Sequence, residues 1–422
     1  MLSAFRNAMR IGDLRRKILY TAALLLVFRL GSHIPVPGVD AAALSEALRV
    51  EEGTVFGFLD MFAGGALSRF AVFALGVGPY ITASIILQLL TIVIPRLEEL
   101  QKEGVEGRKK IQQYTRYGTV LLGLIQGLAT TMLARTWGVL VNETFFHITV
   151  IVVSLTAGSV FLMWLGEKIT EKGIGNGVSL IIFTGIVAEF PPGLYQAVRA
   201  VGQGGVSPIS LILWLVLSVF IVAGVVMVQE GQRRIPVQYA RRVVGRRMMG
   251  GGTTHLPLKV NQAGVIPVIF ASSLLVFPLT IAQFAPSLAA IERWIGHGTT
   301  GYFILYTVLI VFFTYFYTAV TFNPAEVANN LKKNGGFIPG LRPGRPTAEY
   351  LDKVLTRITL AGGIFLALIA LSPYVLAAVT RMPTQFLYFG GTGIIIMVGV
   401  ALDTMRQIEA QLLMRHYEGF LK

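Results

Sequence analysis

The side chains best suited to catalysis or metal binding are few in this chain, and none has the spacing that such chemistry requires. There is no cysteine, which excludes disulfides, thiolate nucleophiles and Cys-ligated metals. Neither a His-Glu-x-x-His pair nor a Gly-Lys dipeptide occurs, so the sequence predicts neither a zinc protease of that type nor a Walker-type ATPase. A protein without enzymatic activity, metal or cofactor is therefore predicted. Its five histidines are His33, His147, His255, His297 and His416.

Paired arginines are the most conspicuous charged feature of the sequence. They lie in residues 229–260 beside a single acid, Glu230, and a second basic segment at 323–353 contains Arg342. Because the arginine fork binds phosphate and carboxylate groups well, docking to an acidic or nucleic-acid-containing partner is predicted in preference to lipid headgroups alone. The pattern does not distinguish RNA from an acidic protein surface. The pairs are Arg233 with Arg234, Arg241 with Arg242, and Arg246 with Arg247.

The rest of the chain is too apolar for a soluble protein. Of its 422 residues 54% are hydrophobic and only 14% are charged, whereas soluble domains have about 25% charged residues. A membrane-spanning helix needs about 20 mostly apolar residues, because its backbone groups must bond to one another in lipid. Ten apolar runs of this kind are predicted, of which the fifth and tenth are the shortest. They are residues 18–34, 71–94, 117–137, 145–165, 178–190, 208–228, 263–285, 301–322, 354–379 and 388–402.

Lysine and arginine are distributed unequally between the two sides of these predicted spans. Positively charged flanks stay in the cytoplasm. The N-terminus, alternate loops and the C-terminal tail carry nearly all the basic residues, so both termini are predicted to be cytoplasmic. Arg29 lies inside the first span. The opposite side carries only Arg49, Arg69, Arg135, Arg199, Arg293 and Arg381.

Ten spans divide into two sets of five, residues 1–200 and 201–422. An odd number per set means that the second set crosses the membrane inverted relative to the first. The connection near residues 190–207 is rich in Gly and Pro, which predicts a turn or hinge. The external segment 55–70 is too apolar for a solvated loop and too rich in Gly to span. A short re-entrant helix packed among other helices is predicted there.

Charged side chains are nearly absent from the interiors of the predicted spans. Arg29 lies near the outer end of its span, where it can snorkel, and Glu189 and Asp403 fall at span ends. Ion-coupled transporters keep ionisable groups near the bilayer midplane, where those groups serve substrate or proton binding. The composition thus favours a conduit with an apolar waist. On topology alone, an inverted-repeat secondary transporter remains an alternative.

Seven sequence motifs follow one another along the whole chain. They are MFAGGALSR (61–69), FALGVGPYITASII (73–86), GIGNG (173–177), GQRRIP (231–236), LPLKVN (256–261), FNPAE (322–326) and FIPGLRPG (337–344). Together they resemble the SecY family of protein-conducting channels. The resemblance implies an all-α, polytopic membrane protein with ten transmembrane helices in two inverted five-helix halves around an hourglass pore, closed by a short re-entrant plug helix. It also implies passage of unfolded secretory polypeptides across the membrane, with sideways release of membrane-protein helices into lipid.

The same resemblance implies which residues line the pore. An aliphatic ring at the waist lets water withdraw when the pore is empty and offers a sliding peptide no hydrogen bonds. Val178 stands in this ring where the family more often has Ile. The ring residues are Ile81, Ile85, Val178, Ile182, Ile269 and Ile396. The plug spans residues 57–70 and includes Phe58, Met61, Phe62, Gly64, Gly65, Leu67 and Arg69.

The resemblance further implies a lateral gate and a set of partners. The gate lies between the second and third spans on one side and the seventh and eighth on the other, with Thr82, Gln88 and Asn261 as polar contacts. The two basic loops would dock the SecA motor ATPase or the ribosome, through RNA and protein at its exit site. Other implied partners are the small membrane subunits SecE and SecG, the translocating polypeptide with its signal peptide, and membrane lipids. The implied location is the bacterial cytoplasmic (inner) membrane.

Overall fold

The fold is mostly helical, as a computed structural model shows. The structure describes residues 9–40, 43–44, 60, 62–239, 242–244, 247–249, 253–284, 294–296, 298–380, 382 and 391–419. The first helices are α1 (Gly12–Gly31), α2 (Gly78–Val93), α3 (Pro95–Lys102), α4 (Val105–Thr136), α5 (Phe145–Lys172) and α6 (Gly177–Gly202). They are followed by α7 (Pro208–Glu230), α8 (Ile266–Phe284), α9 (Thr300–Thr321), α10 (Pro324–Lys333), α11 (Arg345–Thr380) and α12 (Thr392–Gly419).

Each of the ten predicted apolar runs contains a helix. Among the described residues, 6 helical stretches are long and apolar enough to cross a membrane by length and composition. The helices α2 and α3 meet at an angle of 101° and make a seventh candidate if they are taken as one bent span. The chain is therefore a polytopic membrane protein. The 6 stretches are α4, α5, α6, α7, the stretch Thr300–Lys333 and α11.

The second apolar run is only partly helical. Residues 72–77 form hydrogen-bonded turns, and α2 begins at Gly78, with Pro79 in its first turn. Proline is tolerated there because the first amides of a helix have no partner within it. The Ser159 hydroxyl of α5 donates to the Gly76 carbonyl oxygen at 2.8 Å. The neighbouring helix α5 thus supplies a hydrogen-bond donor to a carbonyl group of the turn.

Helix α6 is longer than its apolar run predicts. The Asn176 side chain caps it by accepting a hydrogen bond from the Ser179 amide at 3.1 Å. The helix then continues through Pro191 and Pro192 to Gly202, so the turn predicted near 190–207 is wrong for most of that range. Adjacent prolines remove two backbone donors. The outer part of α6 still packs, since Ala197 belongs to a buried cluster with residues of α7 and α11.

The expectation of an all-α fold is incomplete, because both basic loops contribute strands. These are β1 (Gln232–Tyr239), β2 (Arg242–Val244), β3 (Arg247–Met249), β4 (Thr253–Lys259) and β5 (Gly336–Phe337). Strand β1 lies between β4 and β5, antiparallel to both, and β2 pairs with β3. In β1 only Ile235 and Val237 are buried, and the Arg and Pro residues around them are exposed. That short pattern is too weak to predict a strand by itself.

Helices from both parts of the chain share one hydrophobic core. Its buried residues come from α1, α2, α5, α6 and α7 as well as from α8, α9, α11 and α12. Helix α8 packs against α2 and α4, and α12 and α7 pack against α6. The first and second parts of the chain therefore meet along two lines. The line formed by α8 with α2 and α4 is the one predicted as the lateral gate.

Candidate functional site

A cavity of about 1300 Å³ lies among α2, α4, α5, α6 and α8. Exposed residues at the start of α4, such as Glu106, Lys109 and Lys110, line its mouth. Its inner end is formed by buried aliphatic residues, among them Ile81, Ile182 and Ile269. The polarity of the lining thus falls from the surface towards the interior. The cavity can admit a hydrated chain at its mouth and is closed by apolar side chains at its base.

The six predicted ring residues all belong to one hydrophobic core or pack against it, and four of them line this cavity. Five of them are buried, with exposed fractions of 7% for Ile81, 4% for Ile85, 1% for Ile182, 5% for Ile269 and 0% for Ile396. Val178 is partly buried and packs against the same core. Ile81, Val178, Ile182 and Ile269 also line the cavity.

Helical spacing explains how the ring is built. Ile81 and Ile85 on α2 are four residues apart, as are Val178 and Ile182 on α6, so each pair occupies one face of its helix. Helix α8 supplies Ile269 and α12 supplies Ile396. Four helices therefore contribute aliphatic groups that offer water and ions no hydrogen bonds, as in a hydrophobic constriction.

The described part of the segment 55–70 packs into the protein. Of this segment the structure describes Asp60 and residues 62–70, and the predicted plug residues Phe58 and Met61 lie outside the described residues. The Asp60 carboxylate oxygen Oδ1 accepts hydrogen bonds from the amides of Leu67 at 2.8 Å and Ser68 at 3.1 Å. Phe62 packs against the same core as the ring residues. The segment is thus a compact turn seated beside the aliphatic constriction.

Two glycines let this segment approach α6 closely. Gly64 has φ +67° and Gly65 has φ +75°, a backbone region that L-residues with side chains rarely adopt. A Cβ added at Gly185 of α6 would lie 3.2 Å from the Gly64 Cα atom. Backbone therefore packs on backbone at this contact. Leu67, farther along the segment, is buried in a second hydrophobic cluster.

Charged groups surround the same segment. The Arg29 guanidinium donates from Nη1 to the Gly64 carbonyl oxygen at 2.7 Å. Glu189 Oε1 lies 3.7 Å from Arg29 Nη2 and 3.8 Å from Arg69 Nη2. Arg29 was expected to snorkel, and its side chain also bonds to the segment that contains Gly64. Sequence reasoning missed this contact since the three charged residues are far apart in the chain.

Burial raises the pKa of the Asp60 carboxyl above its ordinary value. The amides of Ser68 and Leu67 act against this by stabilising the carboxylate, and the nearby charge of Glu189 adds to the increase in pKa. The folded segment therefore binds a proton at Asp60 more readily than an unfolded chain does. Its stability rises as the pH falls through the raised pKa towards the ordinary range of an aspartic acid.

The polar residues predicted at the gate bond within their own segments. The Thr82 hydroxyl donates to the Gly78 carbonyl oxygen at 3.1 Å, one turn earlier in α2. The Asn261 amide donates to the Gly264 carbonyl oxygen at 2.8 Å, and Gln88 lines the cavity. Among the hydrogen bonds of the described residues, none joins Thr82 or Asn261 across the gate. The contact of α8 with α2 and α4 is formed largely by the apolar core.

A charged network in the cavity wall was not anticipated from the sequence. Arg116 of α4 donates from Nε and Nη2 to the Glu167 carboxylate of α5 at 3.0 and 2.8 Å. Gln112 donates to the same carboxylate at 2.9 Å. This network joins two helices beside the cavity mouth. In the part of the chain that the structure describes, no cluster of three His, Asp or Glu side chains is placed to hold a metal ion.

The two basic loops form one folded module. Ile235, Val237 and Leu258 of the β1–β4 hairpin pack on Ile338, Leu351 and Val354 from the second basic segment and α11. Arg233, Arg234 and Arg342 are exposed on this module. Arg242 and Arg247 lie in the paired strands β2 and β3, and Arg241 and Arg246 fall outside the described residues. A single rigid surface therefore presents basic side chains from both loops.

Apolar helices around a cavity with an aliphatic inner end are the architecture of a membrane-spanning channel. The family model for SecY matches residues 71–405. The chain belongs to the SecY family. It is thus a component of a protein-conducting channel and not an enzyme.

Curated relatives and solved structures agree with this assignment. The chain is 51% identical to the protein translocase subunit SecY of Streptomyces galbus, over 100% of both chains. Its fold resembles that of a SecY protein whose plug domain stabilises the closed state of the translocation channel, with a TM-score of 0.64 and 20% identity over 93% of this chain and 91% of the other. It also resembles the channel of a canine ribosome–channel complex from the endoplasmic reticulum, with a TM-score of 0.61 and 18% identity over the same shares of the two chains.

Proposed function

We propose that this chain forms the pore through which unfolded secretory polypeptides cross the bacterial cytoplasmic membrane. The observation that carries the proposal is the cavity that ends on Ile81, Val178, Ile182 and Ile269. A polypeptide would enter from the charged mouth and pass the aliphatic ring, which includes Ile85 and Ile396, by pushing side chains apart. Aliphatic groups have no fixed hydrogen bonds to break, so the ring can close around chains of any sequence.

Residues 57–70 form the plug in this proposal. The described part of the segment packs beside the ring through Phe62 and on α6 through Gly64. A solved channel of similar fold has a plug domain that stabilises the closed state. With the plug seated, the pore has two barriers in series, the aliphatic ring and the plug beside it. Movement of the plug would be needed before a chain emerges on the far side.

The ten apolar runs cross the membrane in two inverted halves, residues 1–200 and 201–422, with both termini cytoplasmic. The helices found in all ten runs and the unequal distribution of basic residues support this topology. It places the cavity mouth and the basic module on the cytoplasmic side. It also places the plug on the external side.

Lateral release would occur where α8 meets α2 and α4, with α9 beside α8. Interhelical hydrogen bonds in membranes contribute only about 0.6 kcal/mol on average. A seam made mainly of apolar packing therefore separates at modest cost when a signal helix and lipid replace the lost contacts. Thr82, Gln88 and Asn261 would supply the polar groups that bond with a signal helix entering this seam.

The driving force would come from a partner, since the sequence contains no Walker motif. The module that bears Arg233, Arg234 and Arg342 is the docking surface for the SecA ATPase or the ribosome in this proposal, and Arg241, Arg242, Arg246 and Arg247, which lie between β1 and β4 in the sequence, would add to it. A canine channel of similar fold is in a complex with a ribosome. The small subunits SecE and SecG would complete the translocon in the membrane.

An inverted-repeat secondary transporter is the alternative function. Such a protein needs polar groups that hold a small solute midway through the membrane. In this chain the inner end of the cavity is aliphatic instead. The chemistry of the constriction therefore favours a polypeptide conduit.

Crosslinking tests the pore assignment directly, since the chain has no cysteine to remove. Single variants Ile85→Cys and Ile269→Cys should crosslink to a secretory precursor stalled during translocation. Ile86→Cys is a matched control on the same helix, because Ile86 is 43% exposed and points away from the core. Crosslinks at Ile86 together with none at Ile85 or Ile269 would overturn the assignment.

A further inference from the structure

We propose that Glu189 holds the plug closed by attracting two arginines at once, one on α1 and one on the plug itself. The proposal rests on the assignment of residues 57–70 as the plug. It assigns to Glu189 a role in gating the established channel, as a positioning residue that acts through Arg29 and Arg69.

The geometry places one carboxylate between two guanidinium groups. Glu189 Oε1 lies 3.7 Å from Arg29 Nη2 and 3.8 Å from Arg69 Nη2. Arg29 belongs to α1 and also donates to the Gly64 carbonyl oxygen of the plug at 2.7 Å. Glu189 belongs to α6, whereas Arg69 moves with the plug. Two fixed helices therefore hold one mobile segment through a single shared oxygen.

The carboxylate also lies directly on the plug backbone. A Cβ atom added at Gly65 would overlap Glu189 Oε1, so only glycine admits the acid at this position. Glu189 Oε1 and Arg69 Nη1 are buried and make no hydrogen bond. The pair is thus held by charge at close range, without a directional bond. Contacts of this kind are lost easily once water or a peptide enters between the groups.

Removing the charge of Glu189 should do more than delete an attraction. Without the carboxylate, Arg29 and Arg69 would face each other as like charges in a partly buried site. Arg29 is fixed in a helix, so the repulsion acts on the plug. The Asp60 carboxylate does not replace Glu189, because it is already engaged by the amides of Leu67 and Ser68 within the plug.

All partners of this contact lie in the first part of the chain. Separation of α8 from α2 and α4 at the lateral gate therefore does not pull Glu189 away from Arg69. Plug release is a distinct step in this arrangement. A translocating chain must displace the plug against the charge contact, even after the gate has begun to part.

The test is the resting ion conductance of the complete translocon in planar bilayers, in the absence of a substrate. Glu189→Gln keeps the shape of the side chain and should raise the conductance about fivefold, the upper range for a partly exposed ion pair. Arg69→Gln should raise it less, because it removes the attraction without creating repulsion. The double variant should leak less than Glu189→Gln alone.

A second measurement follows the plug itself. A single Ser68→Cys in the cysteine-free chain should react faster with a membrane-impermeant thiol reagent when Glu189→Gln is also present. Glu143→Gln is the matched control, since Glu143 forms an exposed ion pair with Arg135 at 2.8 Å that includes no plug residue. That control should leave both conductance and labelling unchanged. Equal labelling with and without Glu189→Gln would overturn the proposal.

The outcomes separate this proposal from the pore assignment. If Glu189→Gln leaks no more than the unmodified channel, or if the double variant leaks more than either single one, Glu189 does not act through charge. Ile85→Cys would still crosslink to a stalled precursor in both cases if the pore assignment is right. Loss of those crosslinks in the otherwise unmodified chain would instead refute the pore.

Discussion

Replacement of Gly185 by alanine should unseat the plug. The added Cβ would lie 3.2 Å from both the Cα and the amide nitrogen of Gly64. Carbon atoms pack best at about 3.5–4.0 Å, so the plug must retreat by a few tenths of an ångström or more. Gly64 cannot adjust easily, because its φ of +67° is set by the tight turn. Extra atoms in a packed core typically cost about 1–3 kcal/mol.

That cost acts on the position of the plug and not on the helix. Alanine favours a helix over glycine by about 1 kcal/mol. Because α6 is helical whether or not the plug is seated, this gain is the same in both states and does not change the balance between them. A loss of about 1–3 kcal/mol raises the unseated fraction about 5-fold to 150-fold. Resting conductance in planar bilayers should rise by a similar factor until the channel is mostly open.

Gly224→Ala is the matched control for this experiment. Gly224 also lies within an apolar helix, α7, but a Cβ added there would meet only a Phe365 ring atom at 3.7 Å, an ordinary contact. Gly224→Ala brings the same increase in helix preference, but its added Cβ does not approach another backbone closely. Equal conductance of the Gly185→Ala and Gly224→Ala channels would refute the argument that backbone contact with α6 seats the plug.

Three further predictions concern the ring and the basic module. Ile182→Ser places a hydroxyl in the aliphatic constriction, where Ile182 is only 1% exposed, and should raise resting conductance above that of Ile86→Ser. Leu351→Ala removes a fully buried side chain beneath the hairpin and should destabilise the module by about 2–5 kcal/mol, seen as faster proteolysis of residues 232–259. Arg234→Ala should weaken partner binding and lower its salt dependence.

Each of these predictions has an outcome that contradicts it. Equal conductance of the two serine variants would show that the ring does not exclude ions. Leu360→Ala, at a residue 45% exposed on the same helix, should leave proteolysis unchanged, and an equal effect there would remove the argument from burial. Binding to SecA or ribosomes that keeps its full salt dependence without Arg234 would place the docking contacts elsewhere on the chain.

The joining of the two basic loops changes how docking is understood. Residues 229–260 and 323–353 are two separate basic segments in the sequence. In the structure they share one hydrophobic core. At the base of the hairpin, Arg406 of α12 donates to the Gln229 carbonyl oxygen at 3.0 Å and to the Glu230 carboxylate at 2.7 Å. These hydrogen bonds join the base of the hairpin to α12, the helix that carries Ile396.

Local features of the chain predicted much of the helical framework. The runs that became α4, α5, α7, α9 and α11 are apolar over at least five turns, and such runs must be helical in lipid whatever their neighbours are. Helix ends were less predictable. The start of α2 at Gly78 and the extension of α6 through Pro191 and Pro192 depend on packing against other helices.

The strands of the basic module were missed for a related reason. Strand β1 contains Pro236 and two exposed arginines, and its partner β4 begins more than ten residues later. Such a strand is stable only when Ile235 and Val237 are covered by α11. Short alternating patterns carry little information until the surface that buries them is known.

By itself, the sequence determined that this protein crosses a membrane, that it lacks catalytic chemistry of its own, and that its charge is concentrated in two loops. These properties follow from composition and from short-range periodicity, which do not depend on the fold. The motif resemblance named the aliphatic ring residues, but only the tertiary structure decided that four of them line the cavity and that Arg29, Glu189 and Arg69 meet. Such contacts join helices that are distant in the chain. Residue type alone does not show which isoleucine or arginine makes them, because the contacts form only when the helices pack.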